Sequence, residues 1–363
     1  MAIRRLEVAD LRNLASVSFD LDPHFNYFHG PNGSGKTALL EAIHLLARGR
    51  SFRGRQVSAL IGHGADMLVV RAVLQAGRPV VVSKTRAGST ELRIDGEVCG
   101  RLSDAASMLP IQLILPTVGD LVFGSPGERR GFLDWGVFHV KHGYLMALRE
   151  YLAILKQRNA LLKAIAAGTG EANQLESWND QFVAKAVAVS EYRQSYVDEL
   201  TPHILDVLGT LEPELDIEIG YWRGWGVQSL DKVLGETLPN EVKFGASRSG
   251  PHRADLSLKI PGGNASATLS RGQGKILAIG LILAQARLLF ETSGQHGIFL
   301  IDDIGAEIDR PHAARMLALL RDSGSQVIAT STMTPDHLES ALDGGSIAVF
   351  HVEHGSVNQQ TSL

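Results

Sequence analysis

Residues 30–37 read Gly-Pro-Asn-Gly-Ser-Gly-Lys-Thr, and this stretch constrains the fold more than any other part of the chain. A strand-like run at 25–28 leads into it and a helix-like run at 38–46 leads out. Gly30, Gly35, Lys36 and Thr37 satisfy G-x-x-x-x-G-K-[ST]. The loop formed by Gly30, Pro31, Asn32, Gly33, Ser34 and Gly35 can wrap its backbone around phosphates, because glycine lets N–H groups turn inward. Lys36 would reach the β and γ oxygens of a nucleotide, and the Thr37 hydroxyl would bind Mg²⁺. Strand, Gly-rich loop and helix in that order predict an α/β fold. The bland alternative is a Gly-rich turn before a helix.

A phosphate cradle needs a carboxylate for the metal at the end of a nearby strand. Residues 298–301, Ile-Phe-Leu-Ile, read as a buried strand, and Asp302 ends it. Asp303 follows at once. A second carboxylate beside a metal ligand can accept the proton of an attacking water, so Asp303 is the candidate catalytic base. Other metal chemistries are poorly supplied. Cys99 is the sole cysteine, and the thirteen histidines show no ligand spacing.

The rest of the chain divides by pattern. Residues 1–28 alternate as strands, and 68–74, 79–84 and 91–94 read as an antiparallel meander joined by Gly-bearing turns. After Pro126, Leu145, Leu148, Leu152, Leu155, Asn159 and Leu162 follow heptad a and d spacing. Beyond a Gly-bearing break, Leu175, Trp178, Phe182, Val189, Tyr192 and Tyr196 resume it. Two helices of about 25–30 residues, roughly 40 Å long, would form an antiparallel hairpin. That hairpin is either a projecting arm or an ordinary helical subdomain. From about Val242 strands and helices alternate again, with a helix at 275–290, a second at 311–320 and a strand at 327–330. The expected organisation is an N-terminal head lobe at 1–125, a helical insertion at 126–240 and a C-terminal head lobe at 241–363.

About thirty residues before Asp302 lies Leu269-Ser270-Arg271-Gly272-Gln273. This resembles the LSGGQ-type signature of ABC ATPases, with arginine at its third position. The resemblance implies that Ser270, Gly272 and Gln273 cap the γ-phosphate held by a second subunit, so that two ATP molecules are sandwiched in a dimer. A helix N-terminus suits that task. It also implies a Q-loop glutamine at Gln112, acting on the metal and in catalysis, and a D-loop acid at Asp309. The implied fold is α/β: an ABC-type P-loop ATPase head with a mixed sheet, an antiparallel β-subdomain and an inserted α-helical arm. Transporters of this superfamily carry a histidine where Thr330 and Ser331 stand here.

Several longer stretches resemble the RecF family of bacterial recombination mediator ATPases. They include Leu11-Arg12-Asn13, 45–53, 124–139, 156–162, 249–256 and the signature itself. The Leu115–Leu121 stretch departs from that pattern. The resemblance implies ATP and Mg²⁺ as ligands, slow ATP hydrolysis and an ATP-dependent homodimer. It also implies binding to gapped or duplex DNA and to single strands, work with RecR and RecO, indirect service to RecA, and a role in the SOS response. Two rivals remain. A transporter-type subunit would need a membrane partner. A P-loop kinase would lack the signature and phosphorylate an acceptor other than water.

Lysine and arginine total 35 against 39 acidic residues, a net charge of −4, so DNA would have to meet a local patch. Arg48, Arg50, Arg53 and Arg55 cluster around Phe52, and one of them could instead face the nucleotide as an arginine finger. Arg129 and Arg130 open the helical part, where a salt bridge and a DNA contact are equal alternatives. Tyr221–Trp225 could stack on bases or pack in a strand. His252 and Arg253 could lie near the nucleotide or fix a lobe. The N-terminus lacks the apolar core of a signal peptide, and the apolar stretch at 276–283 is too short to span a bilayer, so a cytoplasmic protein without a membrane partner is expected.

Overall fold

The computed structural model describes residues 2–54, 56–171, 173–304, 308–334 and 347–360. Two compact units share the chain. The first takes 1–118, 210–212 and 279–363, and the second takes 119–209 and 213–278.

The first unit holds two six-stranded sheets. One is antiparallel, in the order β2 (Leu14–Asp20), β1 (Ile3–Leu11), β4 (Met67–Leu74), β5 (Pro79–Thr85), β6 (Thr90–Ile94), β7 (Glu97–Val98). Buried residues alternate with half-buried or exposed ones along β4 and β5, as a half-covered sheet requires. The other sheet runs β15 (Ser356–Gln360), β14 (Ile347–Glu353), β3 (Phe25–His29), β13 (Gln326–Ser331), β12 (Ile298–Ile301), β8 (Ile111–Ile114). Its strands are parallel except β15. β3, β12 and β13 are buried throughout, as parallel strands covered on both faces should be. Helix α1 (Lys36–Arg48) follows β3, and its residues from Ala38 to Ala47 are buried. One apolar cluster joins α1 to inward residues of both sheets, including Leu6, Val70 and Val82 from one and Phe28, Leu300 and Phe350 from the other. α2 (Leu102–Met108), residues 279–293 of a long helix and α10 (Arg310–Asp322) complete the unit.

The second unit is mainly helical: α3 (Asp120–Phe123), α4 (Pro126–Val140), α5 (Tyr144–Ala166), α6 (Gln174–Leu211) and α7 (Leu230–Phe244). A three-stranded antiparallel sheet, β11 (Gly263–Asn264), β10 (Asp255–Ile260), β9 (Glu218–Trp222), belongs to it with α8 (Ala265–Thr268) and the start of α9 (Arg271–Ser293). Residues 241–278, expected with the C-terminal lobe, therefore pack in the second unit. The reason is β10, whose partner is β9 and not a strand of either larger sheet.

The helical hairpin forms, with α5 of 23 residues and α6 of 38. Tyr144–Arg193, Glu150–Lys185 and Arg158–Asn179 contacts run antiparallel along it. On α6 the expected heptad residues Leu175, Phe182, Val189 and Tyr196 are buried. On α5 the seam is one residue away from the leucines. Tyr144, Tyr151 and Arg158 are buried with Leu162, whereas Leu152 is 48% exposed. The large polar-tipped residues win the interior because each tip has a partner. Tyr144 donates to Asp134, Tyr151 meets His252, and Arg158 pairs with Glu241. α9 is the one helix among the described residues long and apolar enough to cross a membrane, contrary to the estimate from the sequence, and most of it is buried.

Candidate active site

The cradle sits at the carboxyl end of β3, where parallel sheets present ligand sites. Gly30 has φ 153°, and a Cβ there would lie 2.0 Å from the Val352 carbonyl oxygen, so only glycine fits. Asn13 Nδ2 donates to the Gly33 carbonyl at 3.1 Å and braces the loop. Lys36 is buried, and its Nζ donates to the carbonyls of Gly30 at 2.7 Å and Pro31 at 2.9 Å. Burial lowers its pKa from the usual lysine value, while the Asp303 and Asp302 carboxylates oppose that. A cavity of about 300 Å³ opens here, lined among others by Lys36, Thr37, Asp302 and Asp303.

Three strands deliver the acid end of the site. The Thr37 hydroxyl, first turn of α1, lies 3.1 and 3.3 Å from the two Asp302 oxygens. β13 lies between β3 and β12, and its Thr330 donates to Asp302 Oδ1 at 2.8 Å. The same hydroxyl accepts from the Asp303 N–H at 3.0 Å. Asp303 adopts φ 56°, and the Ile304 N–H donates to the Thr330 carbonyl at 2.8 Å, so Thr330 clasps the turn that carries both acids. A carboxylate and a hydroxyl facing a phosphate cradle are hard oxygen donors, which fits Mg²⁺. That ion takes one or two carboxylates plus substrate phosphates and keeps several waters. Among the described residues no group of three or more His, Cys, Asp or Glu could hold a metal ion.

Arg12 and Glu41 are functional neighbours that sequence reasoning missed. Glu41 is fully buried inside α1 and takes a bidentate pair from Arg12, through Nε and, at 2.8 Å, through Nη2. Ser51 also donates to Glu41. A charged residue within an otherwise apolar helical run was the available signal. Arg12 and Asn13 line the same cavity, as do Arg53, Pro116 and Thr332.

Other expected residues fall elsewhere. Gln112 lies in the middle of β8, opposite Phe299, and is buried, with Nε2 3.5 Å from Gln285 Oε1. It does not line the cavity, and Pro116 is the residue beyond that strand that does. The cause is register: Gln112 stands level with Phe299, three residues before Asp302. Arg48 is half-buried, Arg50 and Arg53 are exposed, and Arg55 lies outside the described residues. Arg129 gives Nε and Nη2 to Asp255 at 2.6 and 2.9 Å, and Arg130 donates to the Ala254 carbonyl at 2.9 Å. Both guanidinium groups are thus used within the second unit. His252 is tied there too, to Tyr151 at 2.6 Å and the Ser247 carbonyl at 3.0 Å.

The signature belongs to the second unit. Ser270 Oγ accepts from the Gln273 N–H at 3.2 Å and Gln273 Oε1 accepts from the Ser270 N–H at 3.1 Å, a capping box that starts α9. Ser270 and Gly272 remain exposed. Gly274 is required by Phe123, whose ring would lie 2.2 Å from a Cβ. Asp309 caps α10 by accepting from the His312 N–H at 3.0 Å, and Gly305, Ala306 and Glu307 lie outside the described residues.

Residues 2–358 match the family model described as RecF/RecN/SMC N terminal domain. A "DNA replication and repair protein RecF" of Shewanella baltica is 37% identical over 361 residues, covering 98% of this chain and 99% of the relative. The chain belongs to the RecF family. A RecF of Shewanella oneidensis is 36% identical with the same coverage. The solved "recombination mediator protein RecF-ATP in RecFOR pathway" has a TM-score of 0.87 at 24% identity, covering 99% of this chain and 98% of that one. A Pyrococcus furiosus Smc head domain has a TM-score of 0.59 at 16% identity, covering 100% and 96%. The fold is thus the ABC-type head with an inserted helical part that the sequence led one to expect, shared by RecF and SMC heads.

Proposed function

We propose that this RecF-family chain is a DNA replication and repair ATPase that binds MgATP in the cradle at Gly30–Thr37 and hydrolyses it slowly. The observation that carries this is the Asp302 carboxylate, held by the hydroxyls of both Thr37 and Thr330 beside the phosphate cavity. Bound Mg²⁺ would be held by Thr37 and Asp302 and would neutralise phosphate charge. Lys36 leaves the carbonyls of Gly30 and Pro31 for the β and γ oxygens. Asp303 accepts the proton as water attacks the γ-phosphorus and the bond to ADP breaks. Gln112 has no role in this scheme. Arg53 serves the nucleotide, since it lines the cavity, and the other arginines of the 48–55 cluster are left for DNA.

Ser270 and Gly272 complete the site of a second copy, so ATP closes a homodimer. That dimer binds gapped or duplex DNA, and single strands as well. DNA stimulates its weak ATPase activity, and turnover releases the DNA. RecR and RecO are its partners, RecA loading is the indirect outcome, and the work is cytoplasmic. The head is built from both chain ends, near 1–118 and 279–363, with the helical part between them in sequence.

The test uses Asp303→Asn, which should keep ATP and cut hydrolysis by about 10²–10⁴-fold. Gapped duplex is titrated with this variant in ATP and in ADP at one stated salt concentration. Much tighter binding in ATP supports a nucleotide-driven DNA clamp. Equal, weak binding in both removes DNA as the direct target and leaves a protein partner.

A further inference from the structure

The aromatic stretch Tyr221–Trp225 takes no part in the phosphate site. Trp225 is buried, with the Arg223 guanidinium 4.9 Å above its ring. Trp222, at the end of β9, is 48% exposed. It stands opposite Asp255, while Gly220 stands opposite Ser257. Directly opposed antiparallel residues share a face, so Trp222, Asp255, Gly220 and Ser257 lie on one side of this small sheet. Asn264 joins them through its pairing with Lys259, which itself opposes Glu218. A cavity of about 270 Å³ opens there, walled by Trp222, Arg129, Asp255, Ser257, Asn264 and Ser266. That volume lies just under the ~300 Å³ where pockets for drug-sized ligands begin.

Its electrostatics exclude a phosphate. Arg129 spends Nε and Nη2 on Asp255, and Nη1 on the carbonyls of Val122 at 3.3 Å and Gly124 at 3.0 Å. The charged wall is therefore a closed ion pair with no cation to spare. The remaining polar groups are neutral. The side chains of Ser257, Asn264 and Ser266 make no hydrogen bond among the described residues. Gly220 leaves the sheet face bare beside them, since a Cβ there would meet only the Ser257 Cβ, at 3.8 Å. An exposed indole, a bare floor and three uncommitted neutral donor–acceptor groups suit a flat heterocycle carrying its own donors and acceptors. Stacking of a base on such a ring is sequence-tolerant and strong.

We infer that this cavity is a nucleoside subsite, with a base stacked on Trp222 and base-edge or sugar groups bonded by Ser257, Asn264 and Ser266. Two sources carry that chemistry: an unpaired base of a DNA strand, or the adenosine of an ATP held by a second copy. Ser266 stands four residues before Ser270 of the signature. The choice of source rests on the proposed ATPase and DNA function, whereas the stacking itself does not.

The experiment uses the full chain with Trp222→Ala, Trp222→Phe and Gly220→Val, each first shown to keep the native far-ultraviolet spectrum and Tm. Fluorescence anisotropy follows a labelled single-stranded thymidine 12-mer and an abasic strand of equal length, while sedimentation follows dimerisation against ATP concentration. A loss of about tenfold in thymidine-strand affinity for Trp222→Ala and Gly220→Val, spared in Trp222→Phe and absent with the abasic strand, assigns the subsite to a DNA base. A tenfold rise in the ATP needed for dimerisation, with strand binding unchanged, assigns it to the partner's adenosine. If all three variants match the unsubstituted chain in both assays, the inference is overturned. ATP binding by monomer keeps the two readings apart: its loss in the unsubstituted chain sinks the proposed ATPase, whereas its retention in Trp222→Ala is required of the subsite.

Discussion

At the scale of single residues, the acid pair is organised by a threonine. The Thr330 hydroxyl, near the end of β13, donates to Asp302 while accepting from the Asp303 N–H. Thr330→Val keeps the shape and removes both bonds. Groups that orient a metal ligand typically account for 10–100-fold in metal affinity or activity. Thr330→Val should therefore lower kcat by about that factor and raise the Mg²⁺ needed for half-maximal ATP turnover. An unchanged Mg²⁺ dependence would show that Thr37 alone orients Asp302.

At the scale of elements, α1 and the α5–α6 hairpin bury polar groups under different rules. His44 lies inside α1, edge-on to Phe52 at 5.4 Å, with its Nδ1 2.9 Å from the Arg50 carbonyl. Burial pushes its pKa from 6.5 down to about 4, with Arg48 and Arg50 acting in the same direction. The unfolded chain gains this proton near pH 6.5 while the folded chain refuses it until about pH 4. Stability from this group is thus intact above pH 6.5 and falls as pH drops toward 4, by on the order of 3 kcal/mol in total. Urea unfolding at pH 7 and pH 5 should show a larger loss for the native chain than for His44→Asn. Equal losses would place the acid sensitivity in the carboxylates instead.

Arg158 of the hairpin helix α5 and Glu241 of α7 are both fully buried and bonded at 2.6 Å. Ser247 Oγ and Asn179 Oδ1 accept the other Arg158 donors, at 2.6 and 3.0 Å, and the Arg248 N–H donates to Glu241 Oε1 at 2.7 Å. Every member is satisfied, which is what makes burial of the pair tolerable. Glu241→Ala leaves a buried guanidinium without its counter-charge and should destabilise the second unit by about 3–5 kcal/mol. The double variant Arg158→Met with Glu241→Leu should recover most of that loss. Circular dichroism on urea titration reads both, and a double variant as unstable as the single one would mean that the pair holds the hairpin's geometry.

At the scale of the whole molecule, the cradle and the signature belong to different compact units, with Lys36 in the first and Ser270 in the second. The proposed dimer needs both, so its formation should depend on a single lysine. Lys36→Met removes the γ-phosphate contact and should abolish ATP-dependent dimerisation in sedimentation. A normal ATP-dependent dimer in that variant would sink the sandwich.

Local patterns in the chain determined a good deal on their own. The loop at Gly30–Thr37, the strand ending at Asp302 and the capped helix beginning after Ser270 are each set by neighbours in sequence, through backbone freedom, side-chain alternation and N-capping. They stand in the structure where the patterns put them. The antiparallel meander and the α6 heptads were legible for the same reason. Tertiary structure decided whatever depends on partners distant in sequence. Strand register placed Gln112 level with Phe299 and away from the cavity. Side-chain partners rotated α5 so that Tyr144, Tyr151 and Arg158 displaced the leucine stripe, and the β9–β10 pairing drew residues beyond 240 into the second unit. Asp255 claimed Arg129, and Thr330 became the clasp of the acid turn because β13 lies between the two strands that carry the site. Short-range geometry is written residue by residue, whereas register, buried pairing and sheet order arise only when distant segments compete for the same interior.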